Sequence, residues 1–276
     1  MIKEIIAIQG AEGSNHHKVA RDFYGTKIVL KECMSFDVLV DDLLSNKAAR
    51  GIMALENTIA GSIIPNYALI DNNNLHIIGE QYLNIHHHLM ALKGQKIEDI
   101  KEVCSHPMAL LQCKEYFKKY PHIKLVEDVD TAEVAKRIAK NKLKGIAAIA
   151  PKIAAEIFGL NVIEDEIQTI KENSTRFVIV QTKKIKTIES NINKASIKFQ
   201  LNHKRGSLAA ILNAISDCKM NLTKIQSLPV IETPWKYSFF VDVTFQEYKD
   251  YQKAIAIIKI MAEEFKVLGT YKNGRK

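Results

Sequence analysis

Glu4-Ile5-Ile6-Ala7-Ile8-Gln9-Gly10-Ala11-Glu12-Gly13-Ser14 runs an apolar stretch into a glycine-bracketed turn and a serine. Four apolar residues in a row, closed off by glycine, read as a buried strand. Gly10 and Gly13 bracket a tight turn and Ser14 can cap. A helix is therefore expected over 15–24, with Gly25 as its stop. A buried strand feeding directly into a helix is the repeating unit of an α/β sheet.

The same pattern recurs downstream. Ser35 caps a second helix, with Val38, Leu39, Val40, Leu43 and Leu44 largely on one side. Residues 51–55 form a strand that ends at Glu56-Asn57-Thr58, and strands are expected over 75–78 and 83–92. Ser105-His106-Pro107 opens a helix through Phe117, with proline in the first turn, where its missing N–H costs nothing. Asp130-Thr131-Ala132-Glu133 has the form of a capping box. A strand over 145–149 and a helix over 151–158, closed by Gly159, follow. Such a βα series predicts a mostly parallel sheet, or two of them.

Around 182–194 the texture changes. Lys183 to Asn191 is polar and lacks a sustained apolar face, so it reads as a linker. Beyond it lie a strand (195–201), a helix (206–219), two strands (222–230 and 237–245), a helix (250–265) and a strand (266–271). That order, βαββαβ, is ferredoxin-like. The alternation from Ser238 to Phe245 suits a sheet with one covered face, whose other face and edges call for a second copy.

Composition bounds the function. The 276 residues can bury one to three cores. No run approaches the ~18 apolar residues of a membrane span, and the N-terminal residues show no secretory signal. Cys33, Cys104, Cys113 and Cys218 have no C-x-x-C spacing, which fits free thiols in a reducing cytoplasm. The net charge of +8 is spread along the chain as lysine, without a nucleic-acid motif or interleaved aromatics. It reads as solvated lysine-rich faces, with attraction of a small anion as a second reading.

Several strand ends carry chemistry. Arginine is scarce, yet Arg176 sits between Thr175 and Phe177 at the head of a β-branched run, where a guanidinium can clamp a carboxylate and the Thr175 hydroxyl can donate. The Gly10–Ser14 turn exposes N–H groups to an anion, or is a plain βα turn. Glu56-Asn57-Thr58 can orient a polar substrate, or form a capped turn. In His86-His87-His88, strand alternation puts His86 and His88 on one face and His87 on the other, with no further ligand at metal spacing. Ser105 and His106 start a helix. Contact with substrate or simple capping fits them better than a Cys104–His106 nucleophile pair.

Taken in order, Gly-x-x-Gly-Ser, Glu-Asn-Thr-x-x-Gly-Ser, His-x-Leu, Ser-His-Pro-x-Ala-Leu-x-Gln-Cys and Ser-Thr-Arg-Phe resemble the motif series of prephenate dehydratases. The C-terminal unit, with Gly206-Ser207-Leu208 and Asn221-Leu222-Thr223-Lys224-Ile225-Gln226-Ser227-Leu228-Pro229, resembles their regulatory ACT domain. The resemblance covers nearly the whole chain. It implies a two-lobed catalytic domain like a type II periplasmic binding protein over 1–182, with lobe one at 1–78 plus 160–182 and lobe two at 79–159. It implies an ACT domain over 195–276. The first motif departs from the family's usual Gly-Pro-x-Gly-Thr-Phe-Ser by carrying Asn15 and His16. The usual Glu-Ser-Arg-Pro reads Gln226-Ser227-Leu228-Pro229.

The implied activity is conversion of prephenate to phenylpyruvate, water and carbon dioxide in phenylalanine biosynthesis, without cofactor or metal. Thr175, Arg176, Phe177 and Glu56 would be catalytic; Ser14, Asn57, Thr58, His87, Ser105 and His106 would bind substrate. Gly206, Ser207, Leu208, Asn221, Leu222, Gln226 and Ser227 would hold phenylalanine as effector. A homodimer or homotetramer is implied; nucleic acid and membrane are not. An arogenate dehydratase and a non-catalytic amino-acid sensor are the rival readings.

Overall fold

The structure is a computed structural model that describes residues 4–184, 189–202, 204–231 and 233–275. Part of the expected linker, residues 185–188, lies outside the described residues. The first elements are β1 (Ile5–Gln9), α1 (Asn15–Tyr24), β2 (Val29–Cys33), α2 (Phe36–Leu44) and β3 (Arg50–Asn57). Ser14 and Ser35 cap the two helices by accepting from the N–H groups of His17 and Val38. β1 pairs in parallel with both strands, Ile6 opposite Leu30 and Ala7 opposite Gly51. Next come β4 (Gly61–Ser62), α3 (Ile64–Asn72), β5 (His76–Asn84) and β6 (His88–Ala91).

The expected strands over 75–78 and 83–92 thus resolve differently. β5 runs unbroken to Asn84, and residues 85–87 leave the ladder. The cause is local: the Ile85 N–H donates to the Asn173 carbonyl (2.7 Å) and the His87 N–H to the Gln168 side chain (2.9 Å).

The chain continues through β7 (Glu102–Ser105), α4 (Pro107–Phe117), β8 (Lys124–Glu127), α5 (Thr131–Asn141), β9 (Ile146–Ala150), α6 (Lys152–Phe158), β10 (Asn161–Glu164) and β11 (Ser174–Gln181). Two sheets result, ordered β2-β1-β3-β11-β5 and β10-β6-β9-β7-β8. The second is mixed: β7 is parallel to β8 and β9, while β6 is antiparallel to β9 and β10. Its alternation fills both faces. Leu89, Val103 and Ile149 pack with α4, whereas Met90, Cys104 and Ala148 pack with α5 and α6. Such two-sided burial explains the continuous apolar run of β9, while β7, β8 and β10 are short, carry Glu or Lys, and gave no strand signal.

The last elements are β12 (Lys194–Gln200), α7 (Ser207–Asp217), β13 (Asn221–Pro229), β14 (Tyr237–Thr244), α8 (Tyr248–Met261) and β15 (Glu264–Tyr271). Their sheet, β13-β14-β12-β15, is antiparallel throughout and ferredoxin-like. α7 and α8 cover the face bearing Ala195, Ile197, Phe199, Val241 and Val243.

The chain forms two compact units, Met1–Gly61 with Tyr82–Phe177, and Ser62–Gln81 with Val178–Lys276. Within the second, the segment over 62–81 lies on the other face of this sheet, so the expectation of one covered face is corrected. The polar residues there are matched rather than solvated. Lys194 Nζ lies 2.9 Å from both carboxylate oxygens of Glu80. Lys198 and Lys266 reach Asp71 at 2.7 and 2.8 Å, and Tyr67 meets Phe240 edge-on. Gly269 allows the close approach, since a Cβ there would lie 2.0 Å from the Ile77 carbonyl oxygen.

Candidate active site

β3 ends where β11 begins. The Thr58 N–H donates to the Ser174 carbonyl and the Ser174 N–H to the Thr58 hydroxyl, each at 2.9 Å. This double tie sets Glu56-Asn57-Thr58 beside Asn173-Ser174-Thr175 at a strand edge, the usual ligand position in α/β sheets. Glu56 is half-buried and, by strand alternation, faces away from Asn57.

Asn57 is the hub. Its Oδ1 accepts the backbone N–H groups of Ile59 (3.0 Å) and Ala60 (2.8 Å). Its Nδ2 donates to Thr175 Oγ1 (2.8 Å) and to Asn173 Oδ1 (2.6 Å). Asn173 Nδ2 donates to Gln112 Oε1 (3.1 Å), which also meets His87 Nε2 at 2.8 Å. Thr175, Asn173 and His87 are all buried.

On β11, Thr175 and Phe177 share a face and Arg176 takes the other. Arg176 is 3% exposed. Phe177 meets the His16 ring edge-on, with centroids 4.9 Å apart, and His16 also touches Phe36. Burial drives the His16 pKa down to about 3, so the ring is neutral.

The glycine turn already holds an anion. Asp130, at the start of α5, accepts from the N–H groups of Ala132 and Glu133, both 2.9 Å, and from the Ala11 N–H. Gly10 has φ +86°, and a Cβ there would fall 2.5 Å from Asp130 Oδ2. Ser14 is buried and occupied in capping α1. Burial pushes the Asp130 carboxyl up despite these donors.

Ser105 is fully buried, and its hydroxyl donates to the Ile149 carbonyl (2.7 Å). His106 is exposed and caps α4 by accepting the Met108 N–H. The Cys104 thiol is pushed up to about 12, first by burial, which leaves no thiolate for nucleophilic chemistry. His86 and His88 face away from His87 into a cavity of about 400 Å³ beside α1 and α6. None of Glu56, Asn57 and Thr175 lines that cavity. Lys18 pairs there with Asp22, and His88 Nδ1 lies 2.9 Å from Asp165, while burial lowers the His88 pKa.

In the second unit, Gly206 (φ +85°) opens α7 without a side-chain cap. Ser207 and Leu208 line a hollow of about 110 Å³ with Leu201, Asn202, Trp235 and Tyr237. Asn221, Leu222, Gln226 and Ser227 lie along β13, outside that lining. Leu222 packs on the helix-covered core, and the Gln226 amide donates to the Ser227 carbonyl.

Sequence reasoning gave no role to Asn173 or Gln112, although Gln112 stands inside one of the motifs and Asn173 immediately before another. The available signals were an amide next to Ser174 for Asn173 and a place in a motif for Gln112. The Asp130–Ala11 contact joins residues far apart in the chain and left no local trace.

A model of the family described as prephenate dehydratase matches residues 6–185. The chain is 34% identical over 276 residues to arogenate dehydratase/prephenate dehydratase 2, chloroplastic, of Arabidopsis thaliana, covering 96% of this chain and 72% of that one. It is 30% identical over 267 residues to the bifunctional chorismate mutase/prephenate dehydratase of Buchnera aphidicola, covering 95% and 69%. Prephenate dehydratase from Arthrobacter aurescens, solved in complex with L-Phe, superposes with a TM-score of 0.87 at 22% identity, covering 98% of this chain and 90% of that one. With the family model spanning well over half its length, the chain belongs to the prephenate dehydratase family.

Proposed function

We propose that the chain converts prephenate to phenylpyruvate at the Asn57–Thr175 cluster, without cofactor or metal, as a step toward phenylalanine. In this reaction the bond to the ring carboxylate breaks and leaves carbon dioxide. Its electron pair enters the ring and expels the hydroxyl at the opposite carbon. The departing oxygen takes a proton and leaves as water. The protein's task is to hold a dianion and to meet negative charge growing on that oxygen.

The observation that carries the reading is the state of Thr175. Its Oγ1 accepts from Asn57 Nδ2 at 2.8 Å, so its own proton is left for another acceptor. A threonine is a very weak acid. Hydrogen-bond donation to the developing charge is therefore easier than full proton transfer, which falls to solvent. Arg176 is buried one residue along, on the opposite face of β11; its role toward a substrate carboxylate rests on the Ser-Thr-Arg-Phe motif. Phe177 and neutral His16 form an uncharged wall suited to an aromatising ring.

In this reading the chain is laid out as a two-lobed, periplasmic-binding-protein-like domain over 1–182 and an ACT domain over 195–276. The ACT unit takes phenylalanine at the N-terminus of α7, whose uncapped N–H groups can receive a carboxylate. Open sheet edges favour a homodimer or homotetramer. Four buried free cysteines suit a reducing cytoplasm.

Arogenate is the second candidate substrate, because a relative at 34% identity carries both names. The deciding assay gives purified, chelator-treated protein prephenate and arogenate separately, reading phenylpyruvate by ultraviolet absorbance and phenylalanine by chromatography. Turnover of prephenate is expected. No product from either substrate would leave the sensor reading in its place.

A further inference from the structure

The orientation of the Thr175 hydroxyl is set from behind. A backbone N–H can only donate, so the Ile59 and Ala60 contacts fix which end of the Asn57 amide is oxygen. The amino end must then face Thr175 and Asn173, where both of its hydrogens are used. Thr175 Oγ1 is thereby an acceptor in this pair, and its hydrogen turns away from Asn57.

This arrangement needs a second acceptor to keep the Asn57 amino group in line, and Asn173 Oδ1 provides it at 2.6 Å. Asn173 is 1% exposed and is itself held at two further points. Its Nδ2 donates to Gln112, its carbonyl accepts the Ile85 N–H, and Gln112 is in turn engaged by His87. Burial lowers the His87 pKa, so the neutral ring can donate through Nε2 to Gln112 Oε1.

We infer that Asn173 is a positioning residue, which acts through Asn57 to aim the Thr175 hydroxyl at the substrate oxygen, with Gln112 and His87 holding Asn173 in place. The role rests on the proposed dehydration at Thr175. Asn173 touches no reacting atom. Its loss leaves Thr175 present but free to rotate, and turnover falls more than binding does.

The test is a double-mutant cycle on the full chain with prephenate as substrate. Asn173→Leu, which removes both bonds, should lower kcat ~10-fold or more with KM changed less than ~3-fold. Asn173→Asp keeps an oxygen toward Asn57 and should retain most of the rate. In a Thr175→Ala background, Asn173→Leu should cost nothing further, because there is no hydroxyl left to aim. Thermal melts of all variants separate misfolding from misalignment. An equal fall in both backgrounds, or no fall in either, would overturn the role. Wild-type protein that forms no phenylpyruvate would instead overturn the reading on which the role depends.

Discussion

Lys194 and Glu80 form an ion pair sealed from water: the lysine side chain is 2% exposed, the glutamate 0%, and the amine sits 2.9 Å from both carboxylate oxygens. The Gly274 N–H gives Glu80 a further donor. Removing one partner strands the other charge in the interior. Lys194→Met or Glu80→Leu should each destabilise the protein by ~3–5 kcal/mol, while the double replacement should recover most of that loss. Urea unfolding of the three variants measures it. Additive losses would show that the pair is not coupled.

Thr175 and Arg176 should fail differently. Thr175→Ala removes a donor to the leaving oxygen, and turnover should drop ~10²-fold or more. Arg176→Lys keeps the charge but loses the planar fork, so KM should rise as well. Steady-state kinetics on prephenate distinguish the two patterns, and near-normal values for both variants would misplace the active site.

Gly10→Ala meets two obstacles, a φ of +86° and the Asp130 carboxylate 2.5 Å from the new Cβ. A loss of ~1–3 kcal/mol is expected. Adding Asp130→Ser, which keeps a cap for α5 with a shorter side chain, should restore part of it. Melting temperatures of the single and double variants give the answer, and a neutral Gly10→Ala would place Asp130 elsewhere in solution.

His16 makes stability depend on pH. Its folded pKa, about 3, lies below the ordinary 6.5. The unfolded chain therefore binds a proton that the folded chain refuses between those values. The contribution is intact above about 6.5 and erodes as pH falls toward 3, at ~1.4 kcal/mol per unit. Between pH 6.5 and 5 this amounts to ~2 kcal/mol. His16→Phe should flatten that slope when urea midpoints are compared at pH 7 and 5, and an unchanged slope would mean that the ring is protonated or open to water.

The βα series and the βαββαβ unit were legible because burial on both faces, or on one, leaves periodic apolar runs. Helix α3 escaped notice because its apolar residues, Ile64, Tyr67, Leu69 and Ile70, fall all around it. The lysine-rich faces read as solvated, and Lys194, Ser196 and Lys198 alternate along β12 in a way that fits that reading. Glu80 and Asp71, which meet Lys194 and Lys198, lie more than a hundred positions away, and no local pattern announces such a match. At the site, Thr175 and Asn57 could be read from motifs. What Asn173 and Asp130 touch depends on how distant turns meet, which the chain settles only by folding.

The covered sheet face bears on where this chain can be cut. The linker over 182–194 invites a truncation there, yet such a cut would strip residues 62–81 of the surface they lie on. Tyr67 would lose Phe240, Ile77 would lose the strand at Gly269, and the Glu80 carboxylate would lose the Lys194 amine. The C-terminal unit is thus an obligate half of the folded protein rather than a detachable accessory, and losing it should abolish soluble expression before it alters any regulation.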